Sequence, residues 1–203
     1  RYGASALGLV SKMPSGPGPI DEDQITRIAR TVPPSIATFL LTSLQTADDI
    51  IAQQRRCRTN TIQLCDSLDP NTHEYLREKL PGISLVQVIH VTGPESIDEA
   101  IAVAPHVDAI RLDSGNQNLA TKELGGTGRV HNWTISRQIR DAINVPLFLA
   151  GGLKPHNVKE AVEKVRPFAI DVCSGLRTDN RLDEAKLAAF VEQIRLANAM
   201  GSS

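Results

Sequence analysis

Aromatic side chains make up only 3% of this 203-residue chain. A surface that stacks the bases of single-stranded nucleic acid needs more of them, so that class of function is excluded. A dominant charge is also missing. The 22 basic residues nearly balance the 23 acidic ones, for a net charge of −1. No broad field draws nucleic acid or an anionic membrane, and any recognition of an anion has to be local. Long apolar runs are absent, so no transmembrane helix is predicted. The opening "RYGASALGLV" lacks the basic, apolar and cleavage regions of a signal peptide. Cysteine is scarce: Cys57, Cys65 and Cys173 are an odd number without CxxC spacing. They read as free thiols in a reducing compartment, not as a disulfide framework or a zinc site. The expectation is a cytoplasmic protein.

What is present is an ordinary globular composition, 41% hydrophobic and 22% charged. Short apolar runs recur at residues 6–10, 36–42, 61–65, 85–91, 109–113, 147–152 and 169–175. Between them lie helical patterns opened by cap or proline signals: Asp21, Thr46, Asp69-Pro70, Thr92-Gly93-Pro94, Pro155 and Leu182-Asp183. That cadence is one of βα units with right-handed crossovers, hence a parallel sheet covered on both faces. Two architectures fit seven strands: an open doubly wound sheet, or a (β/α)8 TIM barrel short of one unit. No early dinucleotide fingerprint supports the first. An apparent helix end at Arg1-Tyr2-Gly3 feeds the first strand, as though a βα unit lay upstream. The predicted fold is therefore a single α/β barrel domain over residues 1–203, its first βα unit missing or incomplete, with residues 199–203 a frayed tail.

Three consecutive strands end in small, glycine-bearing loops. "GGTG" covers residues 125–128, "AGGL" follows the sixth run and "CSGL" the seventh. None fits a P-loop or G-x-G-x-x-G, which argues against ATP and dinucleotides. Bare main-chain N–H groups in such loops suit a single phosphate, and barrels often build phosphate sites after their last strands. Glycines in any one loop are also ordinary turn formers; the threefold occurrence is what favours a phosphorylated ligand.

Asp113 ends its strand in "IRLDSG". It reads either as a turn cap or as a general acid or base at the barrel mouth. Asp66 is similarly placed, but its neighbours Ser67 and Asp69 suggest a solvated turn. Asp171 lies within its strand, as fit for a structural contact as for a functional one. His73, His106 and His156 read as surface residues, and His131 as exposed. His90 stands near a strand end where it could line a pocket. Cys65 and Cys173 read as inert packing.

Together, "IRLDS…LGGTGRVHNW…PLFLAGGLKPHNV…AIDVCSGLRTDNRLDEAKLAAFVEQI" resembles the phosphoribosylanthranilate isomerase family of tryptophan biosynthesis. "YGASALGLV", "IQLC" and "LVQVIHV" extend the likeness toward the N-terminus. The resemblance implies an Amadori rearrangement of an aminoaldose phosphate to an aminoketose phosphate in a TIM barrel, with no cofactor or metal. It implies Asp113 as general acid, and Gly126, Thr127, Gly128, Gly151, Gly152, Ser174 and Gly175 as the phosphate cradle. Lys12, Gln63, His90 and Arg177 are possible substrate contacts. The family's base is a cysteine on a first strand that lies before this sequence. Its Ser-Pro-Arg, which binds the anthranilate carboxylate, is replaced within "SKMPSGPGPI", where Lys12 offers a point charge instead of a fork. Gln-Leu-His-Gly has become Gln63-Leu64-Cys65-Asp66. Ser-Ser-Gly-Val-Glu has become Cys173-Ser174-Gly175-Leu176-Arg177. The alternatives are a barrel for another phosphosugar, or an inactive barrel that binds phosphate or serves in an assembly. The expected partner is a phosphorylated aminosugar, not nucleic acid or membrane. An upstream segment, a swapped element or a homodimer partner is expected to cover the open sheet edges.

Overall fold

The computed structural model describes residues 2–200. Seven parallel strands form one sheet in sequence order: β1 (Ala6–Val10), β2 (Ala37–Thr42), β3 (Thr61–Leu64), β4 (Ser84–His90), β5 (Ala109–Asp113), β6 (Leu147–Leu149) and β7 (Ala169–Ile170). Helices α1 (Glu22–Thr31), α2 (Ala47–Cys57), α3 (Pro70–Lys79), α4 (Glu95–Val103), α5 (Trp133–Ala142) and α6 (Val158–Val165) make the crossovers. Helix α7 (Glu184–Met200) follows β7. Sequential parallel neighbours joined by helices are the half-barrel arrangement expected of a (β/α)8 family member.

Local chemistry sets the helix starts. Asp21 accepts from the Gln24 amide at 2.6 Å, Asp69 from Asn71 at 3.0 Å, and Asn132 from Thr134 at 2.9 Å. The last of these opens α5, a helix absent from the expected elements.

Alternation along the strands separates two environments. Ile62, Leu64, Leu85, Ile89, Ile110, Leu112 and Leu149 pack with Ile50, Leu76, Ile139, Val158 and Val165 from the helices, forming the main core. The other face, with Cys65 and Val88, meets Leu124 from the loop after β5, and Met13 and Leu41 pack against them. That second face positions the polar residues discussed below.

Three local expectations change. Residues 2–5 precede β1 without a helix, and Arg1 lies outside the described residues. The sixth and seventh strands stop early, at Leu149 and Ile170, where small residues turn into loops and a short 3-10 turn (Ser174–Leu176). Of the expected frayed tail, Ala199 and Met200 continue α7, while 201–203 lie outside the described residues. A small hairpin, β8 (Arg177–Thr178) with β9 (Arg181–Leu182), had no counterpart among the expected strands.

Among the described residues, β1 pairs only with β2, and β7 only with β6. Phe39, Phe148 and Phe168 form a chain of rings with centroids 6.2 and 6.1 Å apart, and Phe168 is 75% exposed.

Candidate active site

The carboxyl ends of β5, β6 and β7 converge on one concavity. It is lined by Asp113, residues 126–128, Gly151-Gly152, Asp171 and Ser174-Gly175, with Arg111 at its floor. Glycine is what lets these loops approach so closely. A Cβ on Gly152 would lie 2.5 Å from the Arg129 carbonyl, and one on Gly175 would lie 1.9 Å from the Leu153 oxygen. The first contact joins the loops after β5 and β6; the second joins those after β6 and β7. Ser114 and Thr127 add a hydroxyl pair at 2.7 Å. Among the described residues, the main-chain N–H groups of Thr127, Gly128, Gly152 and Ser174 have no protein acceptor. Unmatched amides at a loop surface are what an anion recruits.

Asp113 is 1% exposed. Its Oδ1 accepts from the Ser114 amide at 2.7 Å. Its Oδ2 lies 2.9 Å from Arg111 Nη1, within ion-pair distance but off the line of a hydrogen bond. Arg111 Nε donates to Asp171 Oδ2 at 2.6 Å. Burial works against the guanidinium charge, but the carboxylates of Asp171 and Asp113 outweigh it and drive the Arg111 pKa upward. The result is an Asp–Arg–Asp cluster beside the amide-lined hollow, with Asp113 and Arg111 buried and Asp171 partly exposed. No sequence signal marks Arg111, which lies inside an apolar run.

Other expectations need correction. Lys12 lies in a separate groove of about 530 Å³ with Glu22, Asp49, Gln53 and Arg56. Gln63 is buried and contacts the Cys65 sulfur at 3.7 Å. His90 is buried, with Nε2 3.0 Å from the Cys65 carbonyl, which can only accept, so that nitrogen carries the proton. Arg177 is exposed and donates to the Asn180 carbonyl within the β8–β9 hairpin. These four do not line the concavity.

Asp66 is not solvated: it is 3% exposed and pairs with Lys122 at 2.6 Å. His73 is likewise buried, held by Gln87 at 3.0 Å. His131 is half-buried, and its two ring nitrogens have no partner; burial pushes its pKa down to about 4. Cys173 is exposed and lines the concavity, so it is not packing. Cys65 is buried, and burial pushes its thiol up to about 11.

A parallel α/β sheet with charged groups and small loops gathered at its strand ends is the layout of the barrel class, whose sites lie at that end. A family model for N-(5'-phosphoribosyl)anthranilate (PRA) isomerase matches residues 11–193. The isomerase of Methanocella arvoryzae is 34% identical over 195 residues, covering 96% of this chain and 89% of that protein. Among solved structures, phosphoribosylanthranilate isomerase from Thermotoga maritima superposes with a TM-score of 0.80 at 25% identity, covering 96% and 89% of the two chains. An isomerase complexed with reduced 1-(o-carboxyphenylamino)-1-deoxyribulose 5-phosphate gives 0.77 at 23% identity, with the same coverage. The chain belongs to the N-(5'-phosphoribosyl)anthranilate isomerase family, and its activity is that of an isomerase in tryptophan biosynthesis.

Proposed function

We propose that this chain isomerises a phosphoribosyl aminosugar with Asp113 as general acid and the loops after β5, β6 and β7 as the phosphate cradle. The observation that carries the reading is the meeting of one buried carboxylate with unmatched amides in a single hollow. Phosphate held by those amides anchors the sugar at a point remote from the reacting carbon, and this orients it. In its protonated form Asp113 delivers a proton to the ring oxygen as the furanose opens, and a base removes the proton from C2. Cys65, packed with Val88 and Leu124 and outside the lining of the hollow, does not serve as that base.

The base belongs on an eighth strand seated between β1 and β7, completing one barrel domain. The edges of β1 and β7 that lack a partner among the described residues, and the exposed Phe168 ring, support that closure over pairing with a second copy, because one strand satisfies both edges at once. The three free thiols fit a reducing cytoplasm. The test is Asp113→Asn in the enzyme. Turnover should fall by about 10²–10⁴-fold while inorganic phosphate still binds; undiminished turnover removes Asp113 from the mechanism.

A further inference from the structure

The loop between β5 and α5, residues 114–132, is long and contains no helix or strand beyond a two-residue bridge, Asn116 with Glu123. Segments of this length hold one geometry only where tertiary contacts tie them down. Here the ties concentrate at Lys122. Its Nζ reaches Asp66 Oδ2 at 2.6 Å, and its carbonyl accepts from Ser15 Oγ at 2.8 Å. Next to Asp66, the Ser67 amide donates to Gln117 Oε1 at 3.1 Å. One side chain thus fixes this loop to the one after β3, while its main chain is fixed to the one after β1.

From that anchor the path to the site is short. Leu124, 5% exposed, plugs between Cys65 and Val88. Gly125 follows it and passes so near Asp113 that a Cβ there would lie 2.7 Å from Oδ2. Residues 126–128 then form one wall of the hollow. The Asp66 carboxylate is too buried to be solvated in place of a partner, so losing Lys122 leaves it an uncompensated charge and favours rearrangement of the loop.

We infer that Asp66 and Lys122 are a positioning pair: they touch no substrate, but they hold the main chain of residues 125–128 at the distance phosphate requires. The inference rests on the phosphate-cradle reading above. Its test compares wild type with Lys122→Met, Asp66→Asn and Lys122→Arg, using inorganic phosphate as the probe in calorimetry and amide hydrogen exchange to follow residues 123–128. Lys122→Met and Asp66→Asn should weaken phosphate binding roughly tenfold by loosening a preorganised loop and should speed exchange across that segment. Lys122→Arg keeps the charge and should restore both. Wild-type phosphate affinity in Lys122→Met, with or without a lower melting temperature, overturns the pair as a positioning device and leaves the cradle standing. Failure of wild type itself to bind phosphate overturns the cradle and the pair together.

Discussion

Arg111 and Asp113, two residues apart on β5, point to the same face of the sheet, with Nη1 2.9 Å from Oδ2. On its other side Arg111 holds Asp171 at 2.6 Å. One guanidinium therefore bridges two carboxyl groups at the floor of the site. With a side chain only 11% exposed, Arg111 acts where water screens little.

Removing that guanidinium has a direct cost. Arg111→Met should destabilise the fold by about 3–5 kcal/mol in urea unfolding, because Asp113 is left buried without compensation. Asp113→Asn in the same background should recover part of the loss, a coupling of roughly 1–3 kcal/mol. A loss for Arg111→Met no larger than the ~1 kcal/mol of an exposed pair contradicts the cluster.

His131 gives the protein an acid limb. Its folded pKa, about 4, lies below the ordinary imidazole value of 6.5, and burial is the main cause. Between those values the unfolded chain binds the extra proton and the folded one does not, so stability is full above the higher value and falls as pH drops through the window. His90, lowered by burial as well, adds to the same limb. His131→Phe should flatten the decline by up to roughly 3 kcal/mol, read from unfolding curves taken across the window. An unchanged slope places the ring in water.

Loop crossing makes Gly175 intolerant. With Leu153 O only 1.9 Å from the position of a Cβ, Gly175→Ala forces the loops after β6 and β7 apart. The expected cost is about 1–3 kcal/mol of stability, accompanied by about a tenfold loss of phosphate affinity. Calorimetry with inorganic phosphate reads the second effect; retention of wild-type affinity means those amides do not share an anion.

Thiol chemistry separates the three cysteines. Cys57 and Cys65 are buried, with pKa values pushed up to about 11 by burial, while Cys173 is exposed. One thiol per chain should react rapidly with an aromatic disulfide reagent, and Cys173→Ser should abolish that phase. Rapid modification of Cys65 contradicts the packed interior.

The strands were legible because apolar runs are punctuated by turns: β1 and β5 fall where the pattern puts them. Helix α5 is harder to read, since Trp133, Ile135 and Ile139 are spaced helically but no proline opens the run and its cap is the lone Asn132. The glycine loops could be found as signals of close approach, which is a local property. Charge pairing across the fold could not. Lys122 and Asp66 are 56 positions apart, and Asp66 looked like part of a solvated turn because only its chain neighbours were visible. Likewise His73 sits on a polar helix, and its burial follows from Gln87 beneath it, a partner that only the sheet reveals. Nor does the sequence mark Arg111, whose two carboxyl partners are brought to it only by the fold.

The most direct test is a crystal structure of the protein grown with inorganic phosphate. The account predicts one phosphate within hydrogen-bond reach of the amides of Gly128, Gly152 and Ser174, with the Asp113 carboxyl facing the open side of the hollow. Phosphate bound elsewhere, with those amides left in solvent, contradicts it.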